Sequence, residues 1–445
     1  MSSRRFPAKP VEAKFEDRAI LVGVDLGGRA WPLDESMTEL ARLAETAGAS
    51  VLVTVTQKMD SPNPRTFIGS GKAEEVAQLA RETDATLVVF DDDLSPSQQA
   101  NIENLIPEVK ILDRTALILD IFALHAVSRE GKLQVELAQM EYLLPRLRGL
   151  WRHLERLGGQ RSVAGTSVGT RGPGESQLET DRRLARRRIT DLKRELKHVA
   201  VTRETMRKGR QDSGVFRVSL VGYTNSGKST LLNALTDAGV LEADMLFATL
   251  DATTRQMTLA HGRHATLTDT VGFIHKLPHS LVEAFKSTLD ETRNADLLVH
   301  VVDAADANHD AQIEAVDEVL GELGVAGMPQ VRAYNKIDLL DGAQLAVMRS
   351  RAPGAVFVSA ATGQGLDDLR RRIGSEASRR SLPMSVLVPF SRGELIKLAH
   401  EHAEVVDEEP TAQGWRLELR VPASLQERFA PFARAGGEDE SATGA

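Results

Sequence analysis

The chain contains no cysteine, and that absence removes disulfides, thiolate metal sites and cysteine nucleophiles together. Any metal must be held by oxygen or imidazole, and the composition agrees with a reducing compartment. No stretch approaches the ~18 consecutive apolar residues of a membrane span, so no membrane span is expected. The basic start, Met1 to Pro10, has no apolar h-region behind it, which leaves a secretory signal unsupported and makes the cytoplasm the expected compartment. What is present is globular: 445 residues, 42% hydrophobic and 27% charged. That length is too great for one core and predicts two to four domains.

The net charge of −8 argues, taken alone, against a nucleic-acid binder. The charge is unevenly spread, however. Between Pro145 and Arg210 there are 18 Lys and Arg against 7 Asp and Glu, and the rest of the chain is correspondingly acidic.

Periodicity gives an α/β protein in several parts. After a flexible N-terminus (1–17), β-branched runs at Ala19–Val24, Ser50–Thr56, Ala85–Phe90 and Val109–Leu112 read as buried strands. Helical patterns at Glu35–Thr46, Ala73–Thr83 and from near Thr115 lie between and after them, which predicts an N-terminal parallel-sheet α/β domain over 18–127. Leu133, Leu137, Met140, Leu144, Leu147, Trp151 and Leu154 then step by three and four, the seam of one long helix ending at Leu157 and Gly158. Ala185, Ile189, Leu192, Leu196 and Val199 repeat the pattern, so 128–213 reads as an antiparallel helical hairpin with a basic outer face and a Gly-rich loop at 158–174. Strand–helix alternation over 214–378 predicts a doubly wound domain. A small C-terminal α+β domain (379–434), read as β-α-β, and a disordered acidic tail (435–445) follow.

Gly222-Tyr223-Thr224-Asn225-Ser226-Gly227-Lys228-Ser229 matches G-x-x-x-x-G-K-[ST] between a predicted strand, Phe216–Val221, and a helical stretch, Thr230–Leu235. Such a loop turns its N–H groups toward phosphates, Lys228 neutralises β and γ oxygens, and Ser229 can ligate Mg²⁺. The motif does not separate ATPases, GTPases and nucleotide kinases. Asn335-Lys336-Ile337-Asp338, after the strand Val331–Tyr334, decides the base. The Asp338 carboxylate can accept both N1–H and the 2-amino group of guanine, whereas adenine leaves it unpaired and repelled. Asn335 would tie this loop to the phosphate loop, and the Lys336 stem would lie over the purine. Ser359-Ala360-Ala361 follows the strand Val356–Val358 and would give an Ala360 N–H to guanine O6.

Asp269-Thr270-Val271-Gly272 fits D-x-x-G, whose carboxylate holds a Mg²⁺-bound water and whose glycine N–H senses the γ-phosphate. Phe247-Ala248-Thr249-Leu250-Asp251, continuing to Arg255, reads as the first switch. Thr249 is the expected Mg²⁺ ligand, with Thr253 the alternative. Lys228 and Gly272 are the candidate catalytic groups. Where related GTPases place a water-orienting glutamine after this glycine, the chain has Phe273, so slow intrinsic turnover and a partner that completes the site are expected. His275 and His279 lie near enough to act on water but read more simply as surface residues of a mobile switch. Asn225 is of the kind that holds K⁺ in GTPases where potassium replaces an arginine finger, which makes K⁺ a second expectation.

These elements, with Arg171–Arg183, Phe247–Arg255 and Ile68-Gly69-Ser70-Gly71-Lys72, resemble the HflX family of translation-factor-related GTPases over most of residues 18 to 378. The resemblance implies binding of GTP and GDP, association with the large ribosomal subunit, and splitting of stalled or idle ribosomes under stress. Its RNA partner would meet Arg182, Arg183, Arg186, Arg187, Arg188, Lys193, Arg194 and Lys197, with Arg161 and Arg171 on the loop. A solvated helix face is the plainer account of that charge. Some members of the family bind ATP through the N-terminal part, but Gly69–Lys72 lacks the first P-loop glycine and a turn accounts for it. A nucleotide-gated protein-binding switch and a ribosome-assembly or RNA-processing GTPase are the competing functions, and a metabolic kinase is disfavoured. A monomer is the expected state.

Overall fold

The computed structural model describes residues 17–27, 31–147, 177–211, 215–236, 245–247, 249–259, 263–278, 281, 291–422 and 425–433. The flexible N-terminus, the loop 158–174 with Arg161 and Arg171, Ala248, His279 and the acidic tail lie outside these residues, as does the stretch from Trp151 to Gly158. The chain forms two units, one made of the residues up to Ala126 with Lys132–Lys193, the other of Val127–Gly131 with the residues from Arg194 onward.

In the first unit β1 (Asp17–Asp25), β2 (Ala49–Lys58), β3 (Leu87–Phe90) and β4 (Lys110–Asp113) form a parallel sheet in the order β2-β1-β3-β4. Between them run α1 (Leu33–Thr46), α2 (Ser70–Glu82) and α3 (Pro96–Leu105), and α4 (Arg114–His125) follows. β1 is buried on both faces, as a central parallel strand requires. Ile20, Val22 and Val24 pack with Val76, Ala77 and Ile102 in one cluster. α3 buries Ile102 alone and so shows no apolar stripe in the sequence, although its start is well marked. Ser95 accepts the Gln98 N–H, the Gln98 side chain returns the bond, and Pro96 stands at the first position.

The carboxyl ends of β3 and β4, where doubly wound sheets bind ligands, are filled by the unit's own side chains. Arg114 pairs with Asp91 at 2.7 Å and with Glu39. Asp113 accepts from Tyr142 Oη at 2.8 Å and Arg146 Nη2 at 3.2 Å. Gly69 is the extended residue before α2, and its N–H donates to Gln57 Oε1 at 2.9 Å, so Gly69–Lys72 serves as the turn that opens a helix.

The seam from Leu133 does not run on as one helix. α5 (Arg129–Leu143) gives way at Leu144–Arg146 to a 3₁₀ turn, because Pro145 has no N–H and its ring clashes with the carbonyl four residues back. α6 (Gln177–Gln211) is 35 residues long. Leu192 is buried on it, and Ala185, Ile189, Leu196 and Val199 are half-buried. Arg183, Arg186, Arg187, Arg188, Lys193, Arg194 and Lys197 are exposed and Arg182 half-buried. Arg188 pairs with Glu136 of α5 at 2.7 Å and Lys193 with Glu141 at 2.8 Å.

The second unit is built on β5 (Phe216–Gly222), β6 (Thr253–Thr258), β7 (His264–Asp269), β8 (Leu297–Asp303), β9 (Gln330–Asn335) and β10 (Val356–Phe357), in the order β10-β9-β8-β5-β7-β6. Only β6 runs antiparallel, on the edge. α7 (Lys228–Thr236), α8 (His309–Glu322), α9 (Gly342–Arg351) and α10 (Leu366–Arg379) accompany the sheet. Leu220, Leu231, Leu267, Val299, Leu369 and Ile373 are buried in its main cluster.

The C-terminal part has one strand more than expected. β11 (Ser381–Val388), α11 (Gly393–His402), β12 (Glu404–Thr411) and β13 (Gly414–Pro422) give an antiparallel sheet in the order β11-β13-β12. β12 carries Glu404, Asp407, Glu408, Glu409 and Pro410, residues poor in strand propensity but suited to an edge that must not pair further.

Within β8, His300 is 1% exposed, and burial, with Arg332 and Lys228 nearby, pushes its imidazole down to about 3. Its Nδ1 lies 3.0 Å from Gln330 Nε2 and 3.8 Å from the half-exposed Asp317, which Arg332 shares at 3.6 Å. The unfolded imidazole protonates near pH 6.5 and the folded one only near 3, so the unfolded state binds the extra proton between those values. Stability is therefore complete above pH 6.5 and falls by up to about 1.4 kcal/mol for each pH unit below it. The thermal midpoint of His300→Gln should accordingly drop less between pH 7 and pH 5.5 than that of the unmodified chain, and equal drops would refute the assignment.

Candidate functional site

The phosphate loop leaves β5 at Gly222 and enters α7 at Lys228. Several of its carbonyls are taken up by the surrounding protein. Gly222 O accepts from Phe273 N at 3.1 Å and from Lys228 Nζ at 3.2 Å, Tyr223 O from Lys228 Nζ at 2.7 Å, and Ser226 O from Asn335 Nδ2 at 3.0 Å. Gly227 has φ +88°, and a Cβ there would lie 2.2 Å from Asn335 Nδ2, so no other residue fits. Asn225 also adopts a left-handed φ of 58°. The loop closes one side of a concavity with Thr224, Asn225, Gly227, Lys228, Ser229 and Thr230, and Met245, Phe247, Thr249, Thr270 and Gly272 complete it.

Lys228 is buried, and desolvation lowers its ammonium to about 8 against the pull of Asp269, with Lys336 adding slight repulsion. Phosphate oxygens are the charge that would restore it. Ser229 Oγ sits 2.6 Å from Asp269 Oδ2 and 2.8 Å from Thr249 Oγ1. Asp269 Oδ1 is buried without a hydrogen bond, and burial raises the carboxyl despite Lys228, Ser229 and Thr249. Two hydroxyl oxygens beside an unsatisfied carboxylate make a set of hard donors that suits a Mg²⁺ ion. Thr253, the alternative ligand, opens β6 and pairs in register with Asp269.

Phe273 is 1% exposed and locked to the loop on both sides, since its carbonyl also accepts the Thr224 N–H at 2.7 Å. It presents no polar side chain to a water. The His275 N–H donates to Tyr223 Oη at 2.7 Å. Leu250 is buried, and Asp251, expected at the nucleotide, turns its carboxylate instead to Val127 and Ser128.

At the base-reading end Asn335 is buried and uses both halves of its amide, Nδ2 toward Ser226 and Oδ1 accepting the Ala360 N–H at 3.0 Å. The Ala360 N–H expected to meet guanine O6 is here the donor that satisfies this Oδ1, which buried without one would cost about 1–3 kcal/mol. Lys336 has φ 63° and its Nζ pairs with Asp303 Oδ2 at 2.7 Å, a partner the sequence did not reveal. Ile337 is buried, Asp338 exposed, and the Ser359 hydroxyl accepts the Thr362 N–H at 3.1 Å.

Three family models match the chain. They are described as the N-terminal part of a GTP-binding GTPase (34–123), the middle region of a GTP-binding GTPase (125–210) and a 50S ribosome-binding GTPase (217–336). The GTPase HflX of Lacrimispora saccharolytica is 44% identical over 425 residues, which cover 96% of this chain and 98% of that one. The GTPase HflX of Escherichia coli K12 is 44% identical over 394 residues, 87% of this chain and 90% of that one. Among solved structures, a GTP-binding protein of the archaeon Sulfolobus solfataricus in complex with GDP matches at 25% identity, over 81% of this chain and 99% of that one, with a TM-score of 0.42.

Asn335→Ala would leave Ser226 O and the Ala360 N–H without their partner. We expect a loss of about 1–3 kcal/mol of stability and a GDP affinity at least tenfold weaker, measured by thermal unfolding and by titration with a fluorescent nucleotide. Unchanged affinity would show that the tie between the two loops is dispensable.

Proposed function

Because the chain belongs to the HflX family of GTPases, and so binds and hydrolyses GTP, we propose that it acts on the large ribosomal subunit. In its GTP state it would split stalled or idle ribosomes under stress, with the ribosome completing the hydrolytic site. The observation that carries this reading is Phe273. The position that orients water in related enzymes is occupied by a side chain buried beneath the phosphate loop.

The residues divide the remaining work. Gly222–Ser229 cradle the phosphates, Lys228 neutralises the β and γ oxygens, and Gly272 faces the γ position from the other wall of the concavity. Ser229 and Thr249 would be the direct ligands for Mg²⁺, and Asp269 would hold it through water. When bound, Mg²⁺ would supply positive charge against the phosphate charge of transfer. Asp338 accepts from guanine. Asn225 is assigned a K⁺ ion, whose charge would stand in for an arginine finger. The partner's chemistry is read from α6, whose exposed Arg183, Arg186, Arg187, Arg194 and Lys197 suit RNA phosphates.

GTP turnover in potassium buffer should rise at least tenfold, roughly 1.4 kcal/mol off the barrier, with large subunits and not with small subunits or free ribosomal RNA. Replacing potassium with sodium should reduce the stimulated rate, and equal rates would remove K⁺ from the site. Absence of stimulation by any ribosomal particle would sink this reading in favour of a nucleotide-gated protein-binding switch.

A further inference from the structure

Asp251 follows Thr249 by two residues, and its carboxylate meets Val127–Gly131, a segment of the same unit. Oδ2 accepts the Val127 N–H at 3.0 Å and the Ser128 N–H at 2.7 Å, and the Ser128 hydroxyl donates to Oδ1. Ser128 Oγ in turn accepts the Gly131 N–H at 2.8 Å, which makes the serine the cap of α5 and Asp251 the anchor of that cap. The first N–H groups of a helix have no acceptor within it and carry partial positive charge, so a carboxylate is the acceptor that suits them best. The approach is close. A Cβ on Gly131 would lie 2.6 Å from Asp251 Oδ1.

We propose that Asp251 is a positioning residue, a clasp that fixes the first switch to the start of α5 and thereby holds Thr249 beside Ser229, so that preference for GTP over GDP and seating of the first turn of α5 form one equilibrium. The proposal rests on Thr249 being the switch ligand, as argued above. Two peptide steps span at most about 7 Å, so order at either residue confines the other. Coupling of this kind is reciprocal: the nucleotide that fixes Thr249 tightens the clasp, and the clasp favours that nucleotide. An ordinary cap would instead steady α5 equally in every nucleotide state.

The full chain is compared with GDP and with a non-hydrolysable GTP analogue, following amide hydrogen exchange at Val127–Gly131 and the affinity for each nucleotide. The analogue should slow exchange at Val127 and Ser128 at least tenfold relative to GDP. Asp251→Ala and, independently, Gly131→Ala should abolish that difference and weaken the analogue at least fivefold while leaving GDP affinity unchanged. Asp251→Asn, which keeps one acceptor oxygen, should fall between. Gly131→Ala is the sharper variant, because alanine favours helix and a merely structural cap predicts a firmer α5 with no change in nucleotide preference. Equal protection in both states, or equal weakening of both nucleotides, would overturn the clasp. Thr249→Ala separates the two levels: loss of GTP preference there with none in Asp251→Ala defeats the clasp alone. Retention of GTP preference in Thr249→Ala defeats the assignment of Thr249, and the clasp with it.

Discussion

The buried amide of Asn335 holds Ser226 O on one side and the Ala360 N–H on the other, and this one side chain sets the spacing of three loops. Its effect on the phosphate loop is indirect. Ser226 O is taken by Asn335, and Gly222 O and Tyr223 O by Lys228 and Phe273, so three of the loop's carbonyls are held within the protein. The same constraint explains the left-handed Gly227, since only a residue without Cβ lets Asn335 approach. Phe273 belongs to this arrangement as well: its backbone steadies the loop while its side chain is buried, and it offers no polar group to orient water.

Much of this was legible because the elements repeat a local geometry at fixed spacing. A strand, a glycine loop and a helix announce Gly222–Ser229 without tertiary information, and Asp269 and Asn335 stand at strand ends that apolar runs mark out. The parallel sheets were legible for the same reason, as runs such as Ala19–Val24 and Ala85–Phe90 have nowhere to go but the interior. What escaped was decided by contacts distant in sequence. Whether Thr249 or Thr253 reaches Ser229 depends on the path of a switch pinned at Asp251, and that pin lies 123 residues from Ser128. That the Ala360 N–H meets Asn335 Oδ1 was likewise not legible. β12 was lost because edge strands are selected against pairing, which makes their composition resemble a loop. Pro145 was visible, but the apolar seam running through it outweighed the break it forces.

The energetics limit what any single contact in the switch can do. A ligand moves a two-state element only by its difference in affinity for the two states, and passing from 1:99 to 99:1 requires about 5.5 kcal/mol. A hydrogen bond to a charged group contributes roughly 1.5–3 kcal/mol, and a partly exposed one sits toward the low end. The clasp at Val127 and Ser128 is partly exposed, so alone it biases the first switch without throwing it. The contact of Thr249 with Ser229, which itself donates to Asp269, acts on the same few residues, and the two sets are joined by a segment too short to let one form without constraining the other. Their effects therefore combine on a single segment. On the proposed clasp, holding GTP and seating the start of α5 are one event, and Phe273 offers no polar group to orient a water that would end it.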